Sequence, residues 1–247
     1  MELNGAKILY TIHTNIPVLG DFKITQTLVS TWIVMALLSG LAFWLGRDLK
    51  LENVSKRQAA AEFIVERLDQ FVHDNMGLHF DQYIPLVGAI FALSIGCKLI
   101  SVVGLWSPTA DLHTEAAWAI VVFVLIMYYK IKTNGILAYL KGLLDPIFLM
   151  APINVLSEIS TPVSMAFRHF GNILSGTVIS TLLYWALASL SHVIFGWLPG
   201  VLSQLQLFQI GIPAFTGLYF DWFGGCIQAF IFCTLTTIFI KRAAGED

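Results

Sequence analysis

The chain carries little charge. Of its 247 residues only 12% are charged and 57% are hydrophobic, and the mean hydropathy is +0.75. Soluble domains carry about 25% charged residues, so this composition excludes an ordinary soluble domain. It indicates an integral membrane protein with several spans. Long basic tracts are also lacking, and nothing in the sequence favours nucleic acid as a partner.

Residues for metal or covalent chemistry are scarce as well. The three cysteines, Cys97, Cys226 and Cys233, lie in apolar segments without CxxC spacing, which is typical of small core residues. The histidines show no ligand spacing, and the HExxH and GxSxG motifs are missing, which argues against an intramembrane enzyme. We therefore expect no catalytic site, no metal and no cofactor. An internal repeat is not visible either, a mild argument against the common transporter folds.

Apolar runs predict an all-α polytopic membrane protein, a single membrane domain over residues 1–247 with about five membrane-crossing segments. Residues 1–25 form a polar lead on the outer side, and residues 26–132 hold the first three spans, expected at 26–46, 83–106 and 115–129. Between the first two, residues 56–74 predict an amphipathic helix that lies in the membrane interface. The apolar face of this helix is formed by Ile64, Leu68, Phe71 and Val72.

Residues 144–240 predict two long helices that form one lateral face. The apolar run 163–198 would extend roughly 54 Å if it were helical throughout. The hydrocarbon core is only about 30 Å thick, so this run must break, tilt steeply or lie partly along the membrane. The run 201–240 has the same problem, although Pro213 and Gly217 interrupt it.

Lysine and arginine are unevenly distributed between successive loops. They are frequent after the first and third spans and in the C-terminal tail, and they are missing from the segments 107–114 and 192–205. Basic loops stay on the cytoplasmic side of a membrane. The alternation predicts an N-terminus outside and a C-terminus in the cytoplasm.

Arg168 is the only formally charged residue between Glu158 and Asp221. An arginine cannot lose its proton in a protein, and placing it within a bilayer costs at least about 2.5–3.5 kcal/mol. One explanation is an arginine that snorkels near a helix end, since Pro162 lies shortly before it. Against this, polar Ser164 and Asn172 lie one turn before and one turn after Arg168 on the same helical face. We therefore expect the charge to have a function.

A second polar stripe lies near the C-terminus. Asp221 and Gln228 share a helical face two turns apart, and small residues on both polar helices would let the two approach closely in lipid. The small residues are Gly171 and Ser175 on the first helix, and Gly224 and Gly225 on the second. An alternative is that Asp221 lies in a short loop at the membrane surface.

Three motifs together resemble subunit a of F-type ATP synthases. The first is Arg-x-Phe-Gly-Asn at 168–172, with Pro-Val-Ser at 162–164 before it and Ser-Gly at 175–176 after it. The second is Gln-Ala-Phe-Ile-Phe at 228–232, and the third is Pro-Thr-Ala-Asp-Leu at 108–112. Their order and spacing agree with the family along nearly the whole chain.

The resemblance implies a stator in a bacterial plasma membrane, beside a rotating ring of c subunits with buried carboxylates. Its other partners would be b-type peripheral stalk subunits and the rest of the complex, which carries the ATP chemistry. Arg168 would face the ring, and Asn172, Gln228 and Asp221 would line the outer of two offset half-channels. By position, Glu158 and Ser164 would line the cytoplasmic one. The resemblance leaves open whether the ion is a proton or sodium.

Several positions depart from the family pattern and are possible lining residues. His169 stands where many members have leucine, Thr177 where many have glutamate, and Lys98 where many have asparagine. The family's acid-and-imidazole relay is thereby reduced to one carboxylate, Asp221. A stand-alone ion channel or secondary transporter is the alternative function, and it predicts transport by this chain without a ring.

Overall fold

The structure, a computed structural model, describes residues 6–12, 21–145, 147–197, 207–209 and 211–245. The chain opens on two short antiparallel strands, β1 (Ile8–Ile12) and β2 (Phe22–Thr25), with Ile12 opposite Phe22. Both strands contain the β-branched and aromatic residues that favour extended backbone. The N-terminal lead, expected only as a polar segment, therefore contains a β-ladder.

Helices make up nearly all the rest of the described chain. They are α1 (Gln26–Gly46), α2 (Lys56–Met76), α3 (Ile84–Leu99), α4 (Leu112–Asn134), α5 (Ile136–Leu144), α6 (Ala151–Phe195), α7 (Ile212–Gly217) and α8 (Gly224–Ala243). Within the described ranges, five helical segments are long and apolar enough to cross a membrane. The predicted all-α fold class with five crossings is confirmed.

The predicted amphipathic helix is α2. Its N-terminus is capped by Ser55, whose hydroxyl accepts a hydrogen bond from the backbone N–H of Gln58. Its apolar face packs on α3 and α8, where Val72 is fully buried and the ring of Phe71 lies 5.5 Å from that of Phe230. The C-terminal part of the apolar stripe of α2 is therefore covered by two of the membrane-crossing helices, whereas Ile64 stays exposed.

Helix α6 is longer than its sequence predicts. It begins at Ala151, well before residue 163, and continues through Pro162 to Phe195. Proline removes one backbone hydrogen bond from a helix interior, but it does not end this helix. Its 45 residues extend about 68 Å, so the helix must tilt or reach beyond the hydrocarbon core. Arg168 lies several turns inside α6, which removes the basis for a snorkelling arginine near a helix end.

The last helical segment is continuous over residues 212–243. Helix α7 is followed by a π-helical turn, Leu218–Phe223, and this turn leads directly into α8. The expected interruption at Gly217 is not found, and the backbone of Asp221 is helical, so the short-loop alternative is wrong. Residues 201–206 and 210, predicted as part of this run, lie outside the described residues.

The core lies where α2, α3, α4, α6 and α8 meet. It includes Val87, Val122, Phe232 and Cys233, all nearly inaccessible to solvent. The three cysteines are free, and two of them, Cys97 and Cys233, are buried as predicted. Helix α1 is added to α3 at the edge of this core, and Thr27 Oγ1 donates a hydrogen bond to Asp111 Oδ2 at 3.0 Å.

Candidate functional site

The two polar helices meet along one seam, as the sequence predicts. Arg168 and Gln228 line the same small cavity between α6 and α8. One turn further along α6, Asn172 lies so close to Gly224 that a Cβ atom there would be 3.3 Å from Asn172 Oδ1. The structure thus brings Arg168, Asn172 and Gln228 together.

The side chain of Arg168 is exposed on the surface of the bundle. Among the described residues it forms neither an ion pair nor a hydrogen bond. Its neighbour His169 points the opposite way and is buried. Helix α6 therefore presents a charged group outward and a titratable group inward at consecutive positions.

Glycines allow the close contacts of this seam, but not all the expected ones do so. A Cβ atom on Gly225 would come within 2.6 Å of Lys98 Cγ, and one on Gly176 within 3.3 Å of Phe220 Cβ. By contrast, a Cβ atom on Gly171 would meet nothing within 4 Å, and Ser175 is exposed. The expectation that Gly171 and Ser175 pack the two polar helices together is wrong. Gly176, against Phe220, and Gly224, against Asn172, make contacts of that kind, and Gly225 packs on Lys98 of α3.

A polar passage leads from Arg168 towards the C-terminal ends of α4 and α8. A cavity of about 290 Å³ is lined by Arg168, Ser164 and Ser160. It shares Ser157 and Thr161 with a larger cavity of about 630 Å³. The larger cavity reaches the ends of the two helices, where its lining includes Lys130, Asn134, Asp145, Glu158 and Arg242.

Glu158 is held by two groups inside the larger cavity. Lys130 Nζ lies 2.5 Å from Glu158 Oε1, and Tyr139 Oη donates a hydrogen bond to Glu158 Oε2 at 2.5 Å. Burial and the hydrogen bond to Glu158 raise the pKa of Tyr139 to about 12, so its hydroxyl stays protonated at ordinary pH. Helices α4, α5 and α6 are thereby connected beside an open cavity of about 630 Å³.

A second polar cluster lies on the other side of Arg168, within the packed interior. Glu115 of α4 is 0% exposed and His169 of α6 is 3% exposed, and Glu115 Oε2 lies 3.1 Å from His169 Nδ1. Lys98 of α3, at 8% exposure, lies within electrostatic range of the His169 ring. The rings of Trp118 and Phe232 lie 6.5 and 6.2 Å from the imidazole. This cluster is enclosed by apolar groups.

Two further residues were predicted for the site, Thr177 and Asp221, and the structure connects neither of them to Arg168 by a described contact. Thr177 is half-buried, and its hydroxyl donates a hydrogen bond to the backbone carbonyl of Ile173 at 2.9 Å. It is thus occupied within its own helix. Asp221 lies in the π-helical turn, and its side chain is outside what the structure describes.

The sequence reasoning missed Glu115 as a site residue. It is in the first turn of an apolar helix, where an acidic residue has a local explanation in the helix dipole. The signal that was available is its position directly before the apolar run 116–129, where a carboxylate requires a partner. His169 was noted, but its pairing with Glu115 joins residues far apart in the chain.

The fold and this seam define a class of protein. They describe a multi-span α-helical membrane protein that exposes one arginine beside a polar passage.

Comparison with known proteins identifies the family. The family model described as ATP synthase A chain matches residues 28–241. ATP synthase subunit a 1 of Crocosphaera subtropica is 32% identical over 220 residues, which cover 88% of this chain and 86% of that protein. ATP synthase subunit a 2 of Bradyrhizobium sp. is 32% identical over 229 residues, 92% of each chain. The sodium ion specific subunit a of Propionigenium modestum is 30% identical over 241 residues, 91% of this chain and 76% of that protein.

The chain therefore belongs to the ATP synthase A chain family of ion-translocating membrane subunits, and the predicted resemblance is confirmed. A member of this family works in a complex with other ATP synthase subunits.

Proposed function

We propose that this chain is the ion-translocating stator subunit of an F-type ATP synthase, with Arg168 facing the carboxylates of a rotating ring of c subunits. It has two offset half-channels, and an ion crosses only by travelling with the ring. The ATP chemistry takes place on other subunits, and b-type stalk subunits hold the stator. Within a single membrane domain, residues 144–240 form the ion-translocating face.

The observation that carries this proposal is the state of Arg168. Arg168 is exposed on a lipid-facing or partner-facing surface and has no partner among the residues that the structure describes. Such a charge requires an opposite charge from elsewhere. A buried carboxylate on a neighbouring subunit supplies it. Arginine suits the role because it stays charged at any working pH and does not conduct protons itself.

The inner half-channel is the passage from Arg168 past Ser164 to Glu158. Its wide end lies among the basic residues that end α4 and α8, among them Lys130 and Arg242. Basic ends of membrane helices remain in the cytoplasm. This supports an inner half-channel that opens to the cytoplasm, a cytoplasmic C-terminus and an outer N-terminus.

The outer half-channel is lined by residues on the other side of Arg168. Asn172 and Gln228 lie at the seam itself, and Lys98 and His169 lie behind it. Asp221 enters this half-channel by its position one turn before Gly225. Thr177, whose hydroxyl is bonded to its own helix, contributes little.

The mechanism follows from the cost of charge in lipid. An ion that enters from outside neutralises a ring carboxylate, which then rotates into the lipid, since its charged form is too costly there. After nearly a full turn it reaches the inner half-channel. There the positive field of Arg168 favours the ionised carboxylate, and the ion leaves to the cytoplasm. The membrane potential supplies about 2.3 kcal/mol per charge for each 100 mV.

The test is Arg168→Ala in inverted membrane vesicles. Assembly is confirmed by co-purification, and ATP-driven accumulation of protons or sodium ions in the lumen is then followed. We expect an assembled complex without pumping. Arg67→Ala is the matched control, because Arg67 is exposed on α2, away from the seam, and contacts Gln70 of the same helix. It should pump at the parent rate.

Coupled pumping by the Arg168→Ala complex at near the parent rate would contradict the proposal. Ion transport by the purified chain alone in liposomes, without the ring, would favour a stand-alone channel or transporter instead.

A further inference from the structure

The contact between Glu115 and His169, here termed the acid–imidazole pair, is unusual for a buried contact. Although the two atoms are 3.1 Å apart, the geometry is not that of a hydrogen bond. Among the described residues, neither carboxylate oxygen of Glu115 nor Nδ1 of His169 has a hydrogen-bond partner. Such groups are costly in a protein interior, and where they occur they call for a functional explanation.

The charges around the pair limit its protonation states. Lys98 on α3 is the described cation whose charge acts on the His169 ring. The other polar or titratable neighbours in the described chain are the Cys97 thiol on α3 and Gln228 on α8. The side chain of Asp221, on the last helical segment, is outside the described residues. A pair without a proton carries one negative charge, which a nearby cation stabilises, and a pair with one proton is neutral. A second proton would leave a net positive charge in an enclosed apolar interior, which is costly. The pair therefore works between zero protons and one.

The pair is connected to the face of Arg168. A cavity of about 10 Å³ lies between α6 and α8, and its walls include His169, Arg168 and Gln228. One water needs a space of roughly 10–15 Å³. A proton therefore has to cross at most one water between the imidazole and the surface that presents Arg168.

The pair is also near the outer end of the bundle. Glu115 lies in the first turn of α4, whose N-cap is Asp111 at the end of the segment 107–111. In this segment the buried hydroxyls of Ser107 and Thr109 lie 2.8 Å apart. Ser107 Oγ also donates a hydrogen bond to the backbone carbonyl of Cys97 at 2.7 Å, so this segment places polar groups just before the first turn of α4, in which Glu115 lies.

The chemistry of the pair suits a proton and not sodium. A hard cation takes several oxygen ligands, whereas the pair offers two carboxylate oxygens and one imidazole nitrogen. Within the described chain, no group of three or more His, Cys, Asp or Glu side chains surrounds a common point.

We infer that Glu115 and His169 together form the proton-exchanging pair of the outer half-channel, and hence that this stator moves protons. The inference rests on the proposed function and names its ion. During ATP-driven pumping, a protonated ring carboxyl gives its proton to the unprotonated pair through His169. The pair then releases the proton to the outer side through Glu115. During synthesis the same proton moves in the opposite direction.

The experiment compares Glu115→Gln with Glu66→Gln in inverted vesicles that contain the whole complex. Glu66 is an exposed acid on α2 and is the matched control. With assembly confirmed by co-purification, we expect Glu115→Gln to slow ATP-driven acidification of the lumen at least tenfold, and Glu66→Gln to leave it unchanged. Parent-like acidification by Glu115→Gln would overturn the inference. If Glu115→Gln does not assemble, His169→Gln is measured in its place, with the same two outcomes.

A further variant separates proton exchange from a merely structural role. Glu115→Asp should keep part of the pumping rate and shift its dependence on lumenal pH, and an unshifted pH profile counts against the inference.

The same vesicles distinguish failure of this inference from failure of the proposed function. If Arg168→Ala abolishes pumping while Glu115→Gln pumps normally, only the inference fails. If parent vesicles accumulate sodium ions and do not acidify, the inference again fails and the proposed function stands. If Arg168→Ala pumps normally, the proposed function itself is wrong.

Discussion

Helix α4 contacts α6 through ionisable groups on both sides of Arg168, in opposite surroundings. On one side Lys130 Nζ lies 2.5 Å from Glu158 Oε1 beside a cavity of about 630 Å³. On the other side Glu115 and His169 lie 3.1 Å apart in an interior that is closed to solvent. The same two helices thus form an open polar pair and an enclosed one.

The difference shows that access to solvent, more than the distance between the two partners, determines how much each pair contributes to stability. An ion pair in contact with water contributes about 0–1 kcal/mol to stability, because water competes for both charges. Removing one partner of an enclosed pair costs about 3–5 kcal/mol, because the remaining charge has no substitute partner. The open pair therefore contributes little to stability, and the enclosed pair contributes more.

The largest expected effect comes from breaking the enclosed pair. In His169→Leu, Glu115 loses the imidazole and remains without solvent, so we expect a loss of about 3–5 kcal/mol and little assembled complex. Co-purification of the other subunits with the variant chain measures this. Lys130→Met is the matched variant of the open pair and should leave assembly intact.

A double variant tests the reason for that loss. When both partners of a buried pair are replaced by apolar residues of similar volume, stability is often unchanged or improved. His169→Leu with Glu115→Leu should therefore restore assembly, although pumping should stay absent. If the double variant assembles no better than His169→Leu alone, the loss comes from packing and not from an isolated charge.

A smaller effect is expected from Gly225→Ala, which fills space on the enclosed side. Its Cβ atom would lie 2.6 Å from Lys98 Cγ, in the middle of a buried side chain that has little room to move. Overpacking of this kind costs about 1–3 kcal/mol. The melting temperature of the purified complex should fall accordingly.

Gly224→Ala is the control for this effect at the neighbouring position. Its Cβ atom would lie 3.3 Å from Asn172 Oδ1, the end of a side chain that can rotate away. We expect a smaller loss than for Gly225→Ala. Equal losses for the two variants would mean that helix packing along the whole seam, and not the Lys98 contact, limits stability.

The open side of the molecule was the easier one to predict from sequence. A single arginine in a long apolar run, with polar residues at helical spacing, predicts a functional site because charge in lipid is costly. Ser164 lies one turn before Arg168, and the resemblance assigned Glu158 and Ser164 to the same half-channel by their position. Both line the cavities that lead to Arg168.

The enclosed side could not be predicted in the same way. The pairing of Glu115 with His169 depends on how α4 crosses α6, which no local pattern encodes. The start of α6 was also missed, because Pro162 resembles a helix boundary when tertiary packing is unknown. The ladder of β1 and β2 was missed because its two strands are short and the lead was interpreted from its polarity.

Breaking the open pair of Lys130 and Glu158 should reduce stability less than Gly225→Ala does. In Lys130→Met the carboxylate of Glu158 keeps its hydrogen bond from Tyr139, and Arg242 lines the same cavity. We expect a loss below about 1 kcal/mol in the stability of the complex. The melting temperature measures it, and a loss as large as that of His169→Leu would show that the cavity is closed to water in the assembled complex.

The smallest effect is expected from an exposed contact at the end of α2. His73 Nε2 lies 2.6 Å from Asp81 Oδ1, and this hydrogen bond raises the pKa of His73 above its ordinary value of 6.5. A raised pKa means that the folded state binds the proton more tightly than the unfolded state. The contribution to stability is therefore complete below pH 6.5 and is lost as pH rises through the raised pKa.

Hydrogen exchange of the turn Leu78–Tyr83, which follows α2, measures this contribution in the purified complex. After correction for the intrinsic effect of pH, exchange of this turn should become faster above the raised pKa, whereas exchange within α3 should not change. His73→Gln should remove the pH dependence, because glutamine does not titrate. A pH dependence that persists in His73→Gln would assign it to another group near the turn. Either way the change in exchange rate should stay small. Water competes for the contact between His73 and Asp81 as it does for the open pair, and neither contact is strengthened by deep burial.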